Sequence, residues 1–215
     1  MRLEPTQRTK LDNTDDRQFY SMPRFVTHVD EGFIDQLTQL YSDRLKPNTR
    51  VLDLMSSWVS HLPEEIEFSH VEGHGMNEEE LARNSRLNHY FVQDLNHNPQ
   101  LPLPDEDFDA VLNCVSIQYL QYPDAIFSEI HRILKPGGIA IISFSNRMFY
   151  QKAIAAWRDG TEESRVELVK RYFQSVPGFT IPEVIVRQST TIPSFLQMLG
   201  VGGGDPFYAV VAQRS

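Results

Sequence analysis

The chain has 215 residues, 40% of them hydrophobic and 23% charged, a composition that suits one folded domain and excludes a disordered or fibrous chain. A formal charge of −9 with no offsetting basic run argues against nucleic-acid phosphates as a partner. The single cysteine, Cys114, excludes an internal disulfide framework and fits a reducing compartment.

No apolar run approaches the roughly 20 residues of a membrane span, and the first ten residues lack an apolar signal core, so no membrane span and a cytoplasmic protein are expected. Residues 1–18 are polar and aperiodic and read as a loose arm ahead of a single domain over 19–215. From Asp30, a helix cap, Phe33, Ile34, Leu37, Leu40 and Tyr41 recur at helical spacing. "KPNT" breaks that helix before a first strand, "RVLDLM" (50–55). "HVEGHGM" (70–76) reads as a second strand, and Asn77 with Glu80 three residues on has the capping-box pattern. "YFVQDL" (90–95) is a third strand and Asp109–Val115 a fourth.

"DAIFSEIHRIL" then presents Ile126, Ile130 and Ile133 on one helical stripe and is expected to stop at "KPGG", where Pro136 blocks continuation and the glycines permit a left-handed helix end. "IAIISFS" is a fifth strand. "YQKAIAAWR" and "EESRVELVKRYFQS" read as helices of an insert over 146–176, and "PEVIVRQ" and "FYAVVAQ" as two last strands, with "VGGGDP" (201–206) a flexible loop before the final one. Strands alternating with helices predict an α/β fold with a mostly parallel sheet.

In such a sheet, ligands bind outside the carboxyl ends of the strands. The first strand is followed by Ser56, Ser57, Trp58, Ser60 and His61, the second by His74 and Asn77, the third by Asp94, the fourth by Cys114, Ser116 and Gln118, and the fifth by Ser145, Asn146 and Arg147. Serine nucleophiles are disfavoured, because no His–acid pair follows at a fitting place. His70 and His74, four apart on a strand, would stand roughly 13 Å apart, too far to share a metal, so no metal is expected. Asp94, a carboxylate closing an apolar strand, suits either a ligand contact or a turn.

These residues carry a family resemblance. The run "LPLPDEDFDAVLNCVSIQYLQYPDAIFSEIHRILKPGGIAIIS" (101–143) resembles the strand entry and the helix–turn–strand of class I S-adenosylmethionine-dependent methyltransferases, particularly the type-11 small-molecule group. The resemblance implies a Rossmann-like sheet of seven strands with a reversed last strand, helices on both faces, and S-adenosyl-L-methionine as cofactor. It places Asp94 on the adenine amino group with the Leu95 amide beside it, and Cys114 and Val115 along the methionine side. Asp53 opens the first motif, whose turn would approach the cofactor's amino-acid end through Met55, Ser56, Ser57 and Trp58. Residues 19–46 become a lid and helix region, in which Tyr20 and Arg24, with Gln118, Asn146 and Arg147 from the strand ends, are candidate contacts to a small-molecule acceptor. Arg24 and Arg147 suit an anionic one, and His28 and His61 are candidate bases.

The departures are local. The family's "DLGCGTG" is here "DLMSSWV", so Met55, Ser57 and Val59 replace all three glycines. The acid that would bind both ribose hydroxyls is replaced by Gly75, next to Met76, with Asn77 or Glu72 as substitutes if the register slips. Three alternatives stand: methyl transfer with Ser56, Ser57 and Trp58 closing an altered pocket; a methyltransferase-fold module binding a small molecule or a protein; or a different enzyme on the same fold.

Overall fold

The structure, a computed structural model, describes residues 2–187 and 204–215; residues 201–203 of the expected glycine loop lie outside them. After a single turn, α1 (Asp16–Phe19), the first long helix is α2 (Glu31–Arg44). The Asp30 carboxylate caps it by accepting the Phe33 amide at 2.9 Å, and Phe33, Leu37, Leu40 and Tyr41 form its buried face. There follow β1 (Arg50–Leu54), β2 (His70–Gly75), α3 (Glu78–Arg83), β3 (His89–Val92), β4 (Phe108–Cys114), α4 (Pro123–Ile133), β5 (Leu134–Phe144), α5 (Ala155–Arg158), α6 (Glu162–Gln174), β6 (Glu183–Arg187) and β7 (Phe207–Gln213).

The seven strands form one sheet in the order β3-β2-β1-β4-β5-β7-β6. All neighbours pair in parallel except β7, which is antiparallel to both β5 and β6. Alternation along each strand sorts the apolar side chains between two cores. Leu52, Leu54, Val111, Ala140, Ile142 and Val210 face the core that holds Ile126, Ile130 and Phe173 of α4 and α6. Val51, Val71, Ala110, Leu112, Ile141 and Val211 face the other, with Phe33 and Leu37 of α2. The chain leaves β1 for β2 on one side and β4 for β5 on the other, which opens a crevice at the carboxyl ends of β1 and β4.

Two expectations about these elements are corrected. Helix α4 ends at Ile133 with Leu134 as its C-cap, ahead of "KPGG" as expected, but Leu134 is already extended and pairs with Phe108, while Ala110 pairs with Ile139. Lys135–Gly138 therefore bulge out of β5, and Gly137, at φ +79°, serves that bulge instead of a helix end. Of "YQKAIAAWR", only Ala155–Arg158 is helical.

The N-terminal residues are docked. Leu3 is buried in the α4/α6 core, the Ala155 amide donates to the Thr9 carbonyl at 2.8 Å, and the Asp12 amide donates to that of Gln151 at 2.9 Å. The fully buried Lys152 ammonium lies 3.1 Å from Asp12 and 3.2 Å from Asp16, and Lys10 also pairs with Asp16. A buried ammonium requires counter-charge, and the arm supplies it, a demand invisible in the arm's own polarity.

Candidate functional site

A cavity of about 520 Å³ opens at the carboxyl ends of β1 to β4 and is covered by the segment around Tyr20–Asp30 and by Arg147–Phe149. Its floor is the turn after β1. Met55 has φ +60°, so the left-handed bend that glycine would serve is present without glycine. The turn's donors are taken up locally. The Met55 amide donates to His74 Nδ1 at 3.1 Å and the Ser56 amide to the His74 carbonyl at 2.6 Å. The Ser57 hydroxyl donates to Glu80 Oε2 at 2.7 Å, and Asn84 Nδ2 reaches the Ser57 carbonyl at 3.0 Å and Ser60 Oγ at 2.8 Å. Beneath them the buried Asp53 carboxyl is pushed up to about 6 by desolvation, opposed by the hydroxyls of Ser56 and Ser60. Burial drives His74 down to about 4, so it is neutral at physiological pH.

Gly75 ends β2 where a side chain has no room: a Cβ there would stand 2.7 Å from the Ser56 carbonyl oxygen. The substitutes for a missing acid are committed elsewhere. Asn77 Oδ1 caps α3 by accepting the Glu80 amide, and its Nδ2 donates to the carbonyls of Tyr20 at 2.9 Å and Ser21 at 3.2 Å. Glu72 is held by His70 at 2.8 Å and His89 at 2.6 Å. The capping box expected at Asn77–Glu80 is half formed. Instead of reaching back to Asn77, Glu80 accepts the Arg24 amide at 2.7 Å as well as the Ser57 hydroxyl, joining the covering segment to the floor. Asp94 lines the wall, and its Oδ1 accepts the Asn96 amide at 2.9 Å.

At the end of β4, burial lifts the Cys114 thiol to about 12, which leaves no thiolate for chemistry. Val115, a β-branched residue at φ +44°, is strained. Its amide donates to the Ser143 carbonyl at 2.8 Å and its carbonyl accepts Gln118 Nε2 at 2.8 Å. With Met55 and His61, Val115 makes three left-handed non-glycine residues on one cavity wall, the clustering of strain found at functional sites. Burial also lowers the His28 and His61 imidazoles.

Of the residues singled out from the sequence, Tyr20, Arg24, His28, Asp53, Met55, Ser56, Ser57, His61, Gly75, Met76, Asn77, Asp94, Leu95, Cys114, Val115 and Arg147 line this cavity. Trp58, Gln118 and Asn146 are not on its wall. The Trp58 indole donates to the Val26 carbonyl at 3.1 Å and meets Phe25 edge-on, bracing the covering segment from outside. Gln118 is buried as the brace of Val115, and Asn146 faces solvent. Both oxygens of Asp205 hold Arg147 Nε, at 2.6 and 2.8 Å, and the Arg24 guanidinium lies against aromatic rings. Among the insert aromatics only Phe149 reaches the cavity, while Trp157, Tyr172 and Phe173 are core. The sequence reasoning missed Glu80 as a wall carboxylate and Asn84 as the clamp of the turn. Glu80 carried a capping signal that hid its other role, and Asn84, 27 residues from Ser57, carried none. Among the described residues no three His, Cys, Asp or Glu side chains gather as a metal site, and no helix is long and apolar enough to cross a membrane.

Comparison with known proteins follows the same division. A type-11 family model, described as a methyltransferase domain, matches residues 64–142, less than half of the chain and starting after the turn that follows β1. A probable S-adenosylmethionine-dependent methyltransferase of Mycolicibacterium smegmatis is 39% identical over 51 residues, 24% of this chain and 20% of that protein. A sterol 24-C-methyltransferase of Gibberella zeae is 32% identical over 107 residues, 44% of this chain and 27% of that protein. The chain thus matches about a quarter or less of these curated relatives' length. Among solved structures, a [4+2]-cyclase, SpnF, superposes with a TM-score of 0.58 at 19% identity, covering 84% of this chain and 81% of that one. A phosphoethanolamine N-methyltransferase of Haemonchus contortus bound to S-adenosyl-L-methionine superposes with a TM-score of 0.55 at 18% identity, covering 83% and 52%. Identities at this level establish the fold and leave the activity to the site.

Proposed function

We propose that this chain, whose residues 64–142 match a type-11 methyltransferase-domain model, takes S-adenosyl-L-methionine in its cavity and transfers a methyl group to a small-molecule acceptor. One observation carries this reading: Asp53, Gly75, Asp94 and Cys114, from the ends of β1, β2, β3 and β4, border a single cavity of about 520 Å³.

The residues present fit the cofactor at its two ends. Asp94, whose Oδ2 has no protein partner among the described residues, would accept the adenine amino group, with the Leu95 amide beside it. Asp53 would face the ammonium, and Cys114 and Val115 would border the methionine chain. The middle fits less well, because Gly75 offers no carboxylate and Asn77 and Glu72 are already bonded. When bound, the cofactor supplies an activated methyl group on sulfur. The protein's own part is to hold the acceptor in line and to exclude water beneath the covering segment. His28 and His61, kept neutral by burial, would take a proton from an acceptor that must lose one.

A second reading is favoured by a separate observation. His74 consumes the Met55 and Ser56 amides, donors that a glycine turn would leave for a ligand, which suits a module that binds some other small molecule or a protein. Titration calorimetry with S-adenosylmethionine and S-adenosylhomocysteine separates the two. Binding at micromolar strength or better, weakened by about 1.5–3 kcal/mol in Asp94→Ala, supports the methyltransferase. Absence of heat at millimolar cofactor overturns it.

A further inference from the structure

The covering segment carries its own cation into the cavity. The Arg24 guanidinium carbon lies 4.6 Å from the centre of the Phe19 ring, 5.8 Å from that of Tyr20 and 5.4 Å from that of Phe149. These rings also pack edge to face on one another, and His28 stands edge-on to Phe149 at 5.3 Å. The guanidinium has one hydrogen bond, from Nη2 to the Phe19 carbonyl at 2.9 Å, and no ion pair among the described residues. Ring faces, not a carboxylate, hold this charge, which is the arrangement that recognises organic cations.

The charge on the wall has the complementary sign. Asp16, Asp30, Asp53, Glu80 and Asp94 line the cavity against Arg24 and Arg147. Asp16 is neutralised from behind by Lys10 and Lys152, and Arg147 by Asp205. That leaves Asp30, Asp53, Glu80 and Asp94 as lining carboxylates with no ion pair among the described residues, against the one unpaired cation of Arg24. Of these, Asp30 accepts the amides of Phe33 and Asp205, and Asp53 accepts the Ser56 hydroxyl. Such a wall raises the local concentration of cations and repels anions. Glu80 sits beside the cage, since its Oε1 accepts the Arg24 amide.

We infer that the acceptor compartment, bounded by Tyr20, Phe149, His28 and Glu80, binds an organic ammonium, and that Arg24 holds that place until the amine displaces it. The inference deepens the methyltransferase reading by naming the acceptor class as an amine, but the binding event itself needs no cofactor. Two shape-matched probes of opposite charge test it, 2-phenylethylamine and 3-phenylpropionate, titrated into the intact protein without S-adenosylmethionine and followed by calorimetry and ligand-observed NMR. The amine is expected to bind and the carboxylate not to. Glu80→Gln should weaken the amine about tenfold by removing the nearest charge. Arg24→Gln should tighten it about fivefold by freeing the rings and removing a like charge. Because these variants shift affinity in opposite directions, general loss of structure cannot imitate the pattern. Equal or tighter binding of 3-phenylpropionate, no binding of either probe, or loss of amine binding in Arg24→Gln would overturn the inference. Amine binding with no S-adenosylmethionine binding would leave the ammonium site standing and remove the methyl-transfer reading.

Discussion

His74 accepts the Met55 amide on Nδ1 at 3.1 Å, and its Nε2 lies 2.9 Å from the Gln93 carbonyl, which fixes the proton on Nε2 and ties the turn after β1 to the end of β3. Replacing the ring without replacing the bonds isolates this tie. His74→Phe keeps a planar ring against Phe91, now 5.1 Å from the imidazole, but leaves a buried amide and a buried carbonyl unpaired. The expected loss is about 1–3 kcal/mol in urea unfolding. A change within experimental error would mean that the Met55 amide is solvated and open to a ligand.

Asp53 and His74 oppose each other in their response to pH. Asp53 titrates at about 6 in the fold against an ordinary 3.8. The native state therefore binds its proton more tightly, and the stability it contributes is lost as pH rises through 6. His74 titrates at about 4 against 6.5, so its contribution is present above 6.5 and lost as pH falls through 4. Between pH 4 and 6 the two slopes have opposite sign and largely cancel. Asp53→Asn removes the first. The variant should gain on the wild type as pH rises from 4 to 6 and level off above, by up to about 3 kcal/mol. Urea midpoints at four pH values test this, and a constant difference would place the Asp53 carboxyl at its ordinary value.

Restoring an acid at the end of β2 should fail on packing. In Gly75→Asp the new Cβ would stand 2.7 Å from the Ser56 carbonyl oxygen and 3.2 Å from Leu81 Cδ2. The turn or the strand must move, at a cost of about 1–3 kcal/mol. S-adenosylmethionine affinity should not improve, because the turn that would present its amides is displaced. Improved affinity with unchanged stability would show that Ser56 yields freely.

Much of the architecture was legible because it is written in local signals. The apolar run of β4 and the stripe Ile126–Ile130–Ile133 each announce themselves within a dozen residues. The strand ends, and with them Asp53, Gly75, Asp94 and Cys114 around one cavity, follow from the parallel topology. What escaped depends on partners distant in sequence. Glu80 joins Ser57 to Arg24, and Lys152 binds Asp12 and Asp16 across more than a hundred residues. Trp58 looked poised over the ligand, but only the course of Phe25 and Val26 shows that it braces the covering segment from behind. "YQKAIAAWR" has helix-forming residues, yet burying Lys152 against the N-terminal segment takes precedence over helical continuation.

That long-range ion pair makes the docked N-terminal segment separable from the rest. Lys152→Met retains the length and volume of the side chain but removes the charge that Asp12 and Asp16 share, leaving Asp16 to Lys10 alone. Breaking one side of a buried ion cluster is strongly destabilising where the remaining charge cannot reach water, but here the segment can peel away. Residues 2–18 should therefore exchange their amides faster, by about tenfold or more, while β1, β4 and β5 remain protected, as expected of a local opening. Hydrogen exchange resolved by peptide measures both regions in one experiment. Because Asp16 lines the cavity, the same variant should lose part of its affinity for any ligand the covered cavity holds. Uniformly faster exchange across the sheet would instead make Lys152 part of the global core, and unchanged exchange in residues 2–18 would show that Leu3 and the backbone bonds of Thr9 and Asp12 hold the segment without it.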